Sequence, residues 1–177
     1  MGRINGHEYV DLGLSVRWAT CNVGADSPED YGDYYAWGET KTKEEYTGKN
    51  CETLGKDISD IKGTDRDVAH VRWDSPWRMP TMEEFKELID NCDWEWMTLN
   101  GVEGSKVTSR KNGNSIFLPE AGCCDGTSLY GNGNYWSSTP YGSDSQKACS
   151  LLFDGDACGW GWFYRLNGLS VRPVSES

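Results

Sequence analysis

Leucine, isoleucine and valine are sparse in this chain of 177 residues. A core built from aliphatic side chains alone is therefore excluded, and aromatic rings must fill much of it. Histidine is scarcer still, with only His7 and His70. No CxxC pair occurs among the seven cysteines, so the sequence argues against a structural zinc site. No apolar run approaches the roughly 20 residues of a spanning helix, which argues against membrane insertion by this chain. Positive charge is short as well. The net charge is −11 and the isoelectric point about 4.6. That balance argues against nucleic acid and anionic membrane surfaces as partners, because phosphate binding needs a basic face. The opening MGRINGHEYV carries no apolar stretch of the signal-peptide kind.

What is plentiful is tryptophan, tyrosine and glycine: nine, nine and 21 residues. With a mean hydropathy of −0.69, this composition predicts many turns and a large irregular fraction. The length fits one domain spanning 1–177. The densest feature is a run of four aromatics in six residues, Gly159 to Tyr164. Trp160, Trp162, Phe163 and Tyr164 cannot share one core without sharp bends, which Gly155, Gly159, Gly161 and Gly168 are expected to supply. Such a cluster suits a recognition surface, since rigid rings bury much area with few torsions to freeze. A small aromatic core under irregular strands explains it equally well.

Elements follow from spacing. HEYVDLGLSVRWAT predicts two strands with a tight turn near Gly13. Ser27 and Pro28, followed by Glu29 and Asp30, predict a short helix stopping near Gly32. Residues 41–65 are polar and lack a period, so a long surface loop or insertion is expected. RDVAHVRW predicts a short helix with Val68, Ala69 and Val71 partly inward. In PTMEEFKELIDNC, Thr81 and Glu84 form a capping box, and Phe85, Leu88, Ile89 and Cys92 make one apolar stripe. Asn112–Gly113 predicts a hairpin. Helices first and a strand meander after give an α+β pattern. Cys21 with Cys92 is the disulfide to test first, two free thiols being the alternative.

Several segments resemble a known family: YVDLGLSVRWATCNVGA, EDYGDYYAWGET, WRMPTMEEFKELIDNC, GNSIFLPEAG, YWSST and SVRPV. Together they look like the Fibrobacter succinogenes major paralogous domain, from about Tyr9 to Val174. The resemblance implies a loop-rich C-type lectin-like α+β fold, with two main helices flanking small twisted antiparallel sheets. It also implies kinship with the formylglycine-generating enzyme. The block from Ala148 to Val174 further resembles the variable region of proteins diversified by retroelements. Tyr135, Trp136, Phe153, Arg165 and Gly168 match the scaffold letters of that pattern. Cys149, Leu152, Asp154, Cys158, Gly159, Trp162, Phe163, Tyr164 and Leu166 stand at positions that vary.

On that resemblance, residues 143–169 are expected to display a diversified ligand-binding surface of a non-enzymatic adhesin or receptor-type domain. Trp160, Trp162, Phe163, Tyr164 and Leu166 would be apolar anchors. Ser143, Asp144, Asp154 and Asp156 would add polar direction, with Cys149, Leu152 and Gly159 in the same surface. The expected partner is a protein or cell-surface glycan, met outside the cell after export. The alternatives are an assembly module of a larger surface protein, and a cysteine-dependent enzyme using Cys149 and Cys158 near Lys147 and Arg165. No catalytic constellation of nucleophile, base and orienter is visible. The calcium-lectin tripeptides EPN, QPD and WND are missing, so no cofactor or metal is expected. His70 is expected to be structural, His7 to lie in a frayed terminus, and Arg172 to bridge an acid or bond loop carbonyls.

Overall fold

The computed structural model describes residues 1–176. In chain order its strands are β1 (Gly2–Ile4), β2 (His7–Val10), β3 (Val16–Ala19), β4 (Trp77–Arg78), β5 (Cys92–Leu99), β6 (Val102–Ser109) and β7 (Ser115–Pro119). They continue with β8 (Cys123–Asp125), β9 (Ser128–Tyr130), β10 (Gly133–Pro140), β11 (Lys147–Phe153), β12 (Cys158–Tyr164), β13 (Gly168–Leu169) and β14 (Val174–Glu176). Two short helices, α1 (Val68–Trp73) and α2 (Met82–Asn91), lie between β3 and β5.

The strands form four sheets, ordered β1-β2-β3-β14-β4, β10-β11-β12, β13-β8-β9 and β5-β6-β7. The protein is thus mostly β, and the expected α+β fold with two main helices is wrong. The physical reason is local. Ser27 was expected to start a helix, but its hydroxyl and amide both bond Asp30 Oδ2, and Asp30 N–H returns to Ser27 O. Side chains that bond nearby backbone compete with helix, and here they close a single turn. Beyond α2 the rich supply of aromatic and β-branched residues settles into strands, where such side chains pack on a pleated surface.

Other expectations meet the structure more closely. The strands flanking Gly13 form as β2 and β3, with Gly13 at φ 70°. Residues 41–65 contain no helix or strand, yet Tyr46, Thr53 and Ile61 are buried. Helix α1 is capped by Asp67, whose carboxylate takes N–H groups from Gly63, His70 and Met79. Val68 and Ala69 on that helix are buried, whereas Val71 is 44% exposed. Helix α2 has the full capping box: Thr81 Oγ1 takes Glu84 N–H and Glu84 takes Thr81 N–H. The Asn112–Gly113 hairpin joins β6 to β7.

Sheet β10-β11-β12 divides the interior. Successive side chains of a strand point to opposite faces. Tyr135, Leu151 and Phe153 enter one core with Trp18, Phe85 and Leu88. Trp136 and Ala148 enter a second core with Trp37, Trp73 and Trp77. The prediction of an aromatic interior is realised in these rings. Arg172 is buried, but its partners are Asn22 Oδ1 at 2.7 Å and Ala19 O at 3.3 Å, not an acid. His7 is not frayed: it lies in β2 and stacks on Trp73 at 3.7 Å. The seven cysteines are free, so the Cys21–Cys92 bridge is not formed. Cys92 packs in the first core, and Cys21 lines a surface cleft with His7.

Candidate functional site

The aromatic run Gly159 to Tyr164 lies in one continuous strand, without the positive-φ glycine turns expected of it. None of Gly155, Gly159, Gly161 and Gly168 is among the residues with positive φ. Alternation does the sorting instead. Trp160, Trp162 and Tyr164 share one face of β12 and are 49%, 37% and 44% exposed. Gly159, Gly161 and Phe163 share the other. Gly161 serves close approach, since a Cβ there would stand 2.8 Å from Leu152 Cδ1. Phe163 packs against the second core.

β12 is an outer strand of its sheet. At one end of the β11–β12 hairpin Arg165 N–H donates to Gln146 O, and at the other Asp154 N–H donates to Ala157 O. Antiparallel ladders alternate between bonded and non-bonded pairs. Counting inward from either end turns the N–H and C=O groups of Trp160 and Trp162 toward the open edge. The same two residues therefore offer free backbone groups and exposed rings.

Cations attend these rings. Lys86 Nζ of α2 lies 4.5 Å from the Trp160 centroid. Lys147 Nζ lies 3.8 Å from the Trp162 centroid and 3.3 Å from Asp144 Oδ2. Asp144 is held below its ordinary carboxylate range, first by the Gln146 amide and also by Lys147. Tyr141 stands 6.1 Å from Trp162, centroid to centroid. Tyr141 and Lys86 were not anticipated from sequence. The strand period that places the rings of β12 on one face went unread in the sequence, and their partners come from α2 and from the turn after β10.

The other expected surface residues scatter. Ser143 is exposed on the turn between β10 and β11. Asp154 and Asp156 sit at the opposite tip, where the Asp154 carboxylate takes the N–H groups of Asp156 and Ala157. Leu152 and Gly159 lie on the reverse face, bounding a groove of about 500 Å³ with Asn134 and Phe163. Cys149 is buried in the first core. Leu166 is half-buried beside Gly48. Arg165 is buried too: it donates to Thr53 O, Lys56 O and Lys147 O, and its guanidinium covers the Trp37 ring at 4.5 Å. It fastens segment 41–65 to the sheet.

Cys149, Cys158 and Cys123 are poorly placed for thiolate chemistry. Burial pushes the thiols of Cys149 and Cys158 up from their ordinary value, and that of Cys123 up to about 12. An attacking thiol needs the opposite shift. Comparison with protein families, with curated proteins and with solved structures returns no match.

Proposed function

We propose that this protein is a non-enzymatic ligand-binding domain and that its binding surface is the exposed face and open edge of β12. The observation that carries the proposal is the set Trp160, Trp162 and Tyr164, three large side chains left on solvent at an outer strand. Nine tryptophans are present, and Trp18, Trp37, Trp77 and Trp136 are fully buried. A chain that buries indole so readily gains nothing for folding by leaving two at the surface. Contiguous exposed apolar rings mark interaction sites, and Trp and Tyr are the residues that dominate binding hot spots.

The partner is a protein or cell-surface glycan. The strand supplies rigid anchors, and the free edge groups supply direction. A diversified surface of adhesin or receptor type suits Trp160, Trp162 and Tyr164, whose side chains are not needed by the core. It suits Cys149 poorly, because a freely drawn residue there would disturb packing. The raised thiol pKa values of Cys149 and Cys158 speak against that pair as reactive thiolates. The test is to exchange all three exposed rings for Ser and measure thermal stability together with adhesion to candidate cells. Retained folding with lost adhesion is expected; loss of folding would make the strand a core element and sink the proposal.

A further inference from the structure

The aromatic face of β12 closes into a cage at one end. The Lys147 ammonium stands 3.8 Å from the Trp162 centroid, 5.9 Å from that of Tyr164 and 6.0 Å from that of Tyr141. Asp144 Oδ2 completes the surround at 3.3 Å. The rings are not parallel: Trp162 meets Tyr164 at 76° and Tyr141 at 46°. Stacking on a flat sugar ring would call for a level platform. Rings tilted about a common point instead aim their negative π-faces at it, which is the arrangement a cation needs.

The backbone builds the walls without help from the lysine side chain. Lys147 is directly opposite Tyr164 in the β11–β12 register, and Trp162 is two residues along the same face. Tyr141 is held by its own main chain: its N–H donates to Lys147 O, and its carbonyl accepts Asp144 N–H. Lys147 is a poor permanent filling. Its side chain is 22% exposed, and its ammonium is a strongly hydrated group on a flexible stem. A methylated ammonium carries fewer N–H groups to satisfy and sets methyl carbons against the rings. The net charge of −11 favours the approach of any cationic ligand.

We propose that Tyr141, Trp162, Tyr164 and Asp144 form a binding site for a methylated or quaternary ammonium group of the ligand, with Lys147 as an internal stand-in that the ligand displaces. This rests on β12 being a binding surface. While Lys147 occupies the cage, it lowers apparent affinity by the fraction of time the cage is filled.

The test is titration of tetramethylammonium chloride into the unaltered protein, K147A and K147A/W162A at constant ionic strength, followed by tryptophan fluorescence. K147A should bind about tenfold more tightly than the unaltered protein, and K147A/W162A should not bind. Choline should bind K147A as tetramethylammonium does, and its neutral isostere 3,3-dimethylbutanol should bind far more weakly. Equal responses of the unaltered protein and K147A, a response surviving W162A, or equal binding of the neutral isostere would each overturn the site. Should K147A fold poorly, proton NMR of the unaltered protein decides. The Lys147 ε-methylene signal, shifted by the rings, must move toward its free position as tetramethylammonium is added, and a stationary signal overturns the proposal. Trimethyllysine and phosphocholine then separate the two carriers of such a group, with trimethyllysine favoured by the acidic surface. Failure here with the triple Ser variant still folded and non-adhesive would leave β12 a binding surface for other chemistry. Unfolding of that triple variant would remove the surface itself.

Discussion

Cys149 and Cys158 lie four residues out of register: Cys149 faces Trp162 across the β11–β12 ladder, whereas Cys158 faces Phe153. Four residues of strand span about 13 Å. A disulfide needs Cα atoms within about 4.4–6.8 Å. These two thiols cannot bridge without breaking the hairpin. Peptide mapping of unreduced protein should therefore find both free. Cys158→Ser should change stability by no more than about 0.5 kcal/mol. Cys149→Ser places a hydroxyl in an apolar core and should cost about 1–3 kcal/mol. A Cys149–Cys158 peptide would contradict the strand register.

Rings of the run Gly159 to Tyr164 should separate by strand parity. Trp160→Ser and Tyr164→Ser should each cost less than about 1 kcal/mol in denaturant unfolding, as surface changes do. Phe163→Ser, on the face packed against the second core, should cost more. Trp136→Ala and Phe85→Ala, both fully buried, should each cost about 3–5 kcal/mol. Equal losses at Trp160 and Trp136 would mean that the exposed rings are core.

Arg165→Met keeps length and removes the donors to Thr53 O, Lys56 O and Lys147 O. Three carbonyls, that of Thr53 in a fully buried bond, then lose a charged donor. A loss of about 2–4 kcal/mol is expected, with faster proteolytic cleavage inside 41–65 than elsewhere. Unchanged cleavage there would show that the segment is held by Tyr46 and Ile61 without Arg165.

His7 is stacked on Trp73, and its pKa is lowered from its ordinary 6.5, first by burial and then by Arg3. The unfolded chain takes up this proton at higher pH than the folded one does. Stability from this group is therefore complete above pH 6.5, and falls as pH drops from 6.5 through the folded value. Proton NMR titration should place His7 below 6.5. A value above it would show that attraction of imidazolium to the Trp73 face outweighs burial.

Local chemistry was legible at two places where the deciding partners are close in sequence. The α2 cap needs only Thr81 and Glu84, three residues apart, and the β6–β7 turn needs only Asn112 and Gly113. The aromatic interior followed from composition, because so few aliphatic residues leave rings as the available apolar bulk. Ser27 misled because its side-chain partner, Asp30, closes a turn as readily as a helix start. The run Gly159 to Tyr164 misled in another way. Its strand alternation was present in the letters, but two of its alternate positions are glycine, so the period was hidden by residues with no side chain to show.

Which alternate face met solvent was a tertiary decision. β12 is exposed because β11 takes only one of its edges, and because the sheet lies between two cores already filled by Trp18, Trp37 and Trp136. The cage needs Tyr141 from one turn, Lys147 from β11 and Trp162 from β12. These residues are brought together by hydrogen-bond register, and no spacing along the chain encodes it. Sequence alone determined caps, tight turns, acidic charge and aromatic bulk, since these act over a few residues or over none. Only the folded structure decided how many strands form and which rings remain outside, since those depend on pairing between segments far apart in the chain.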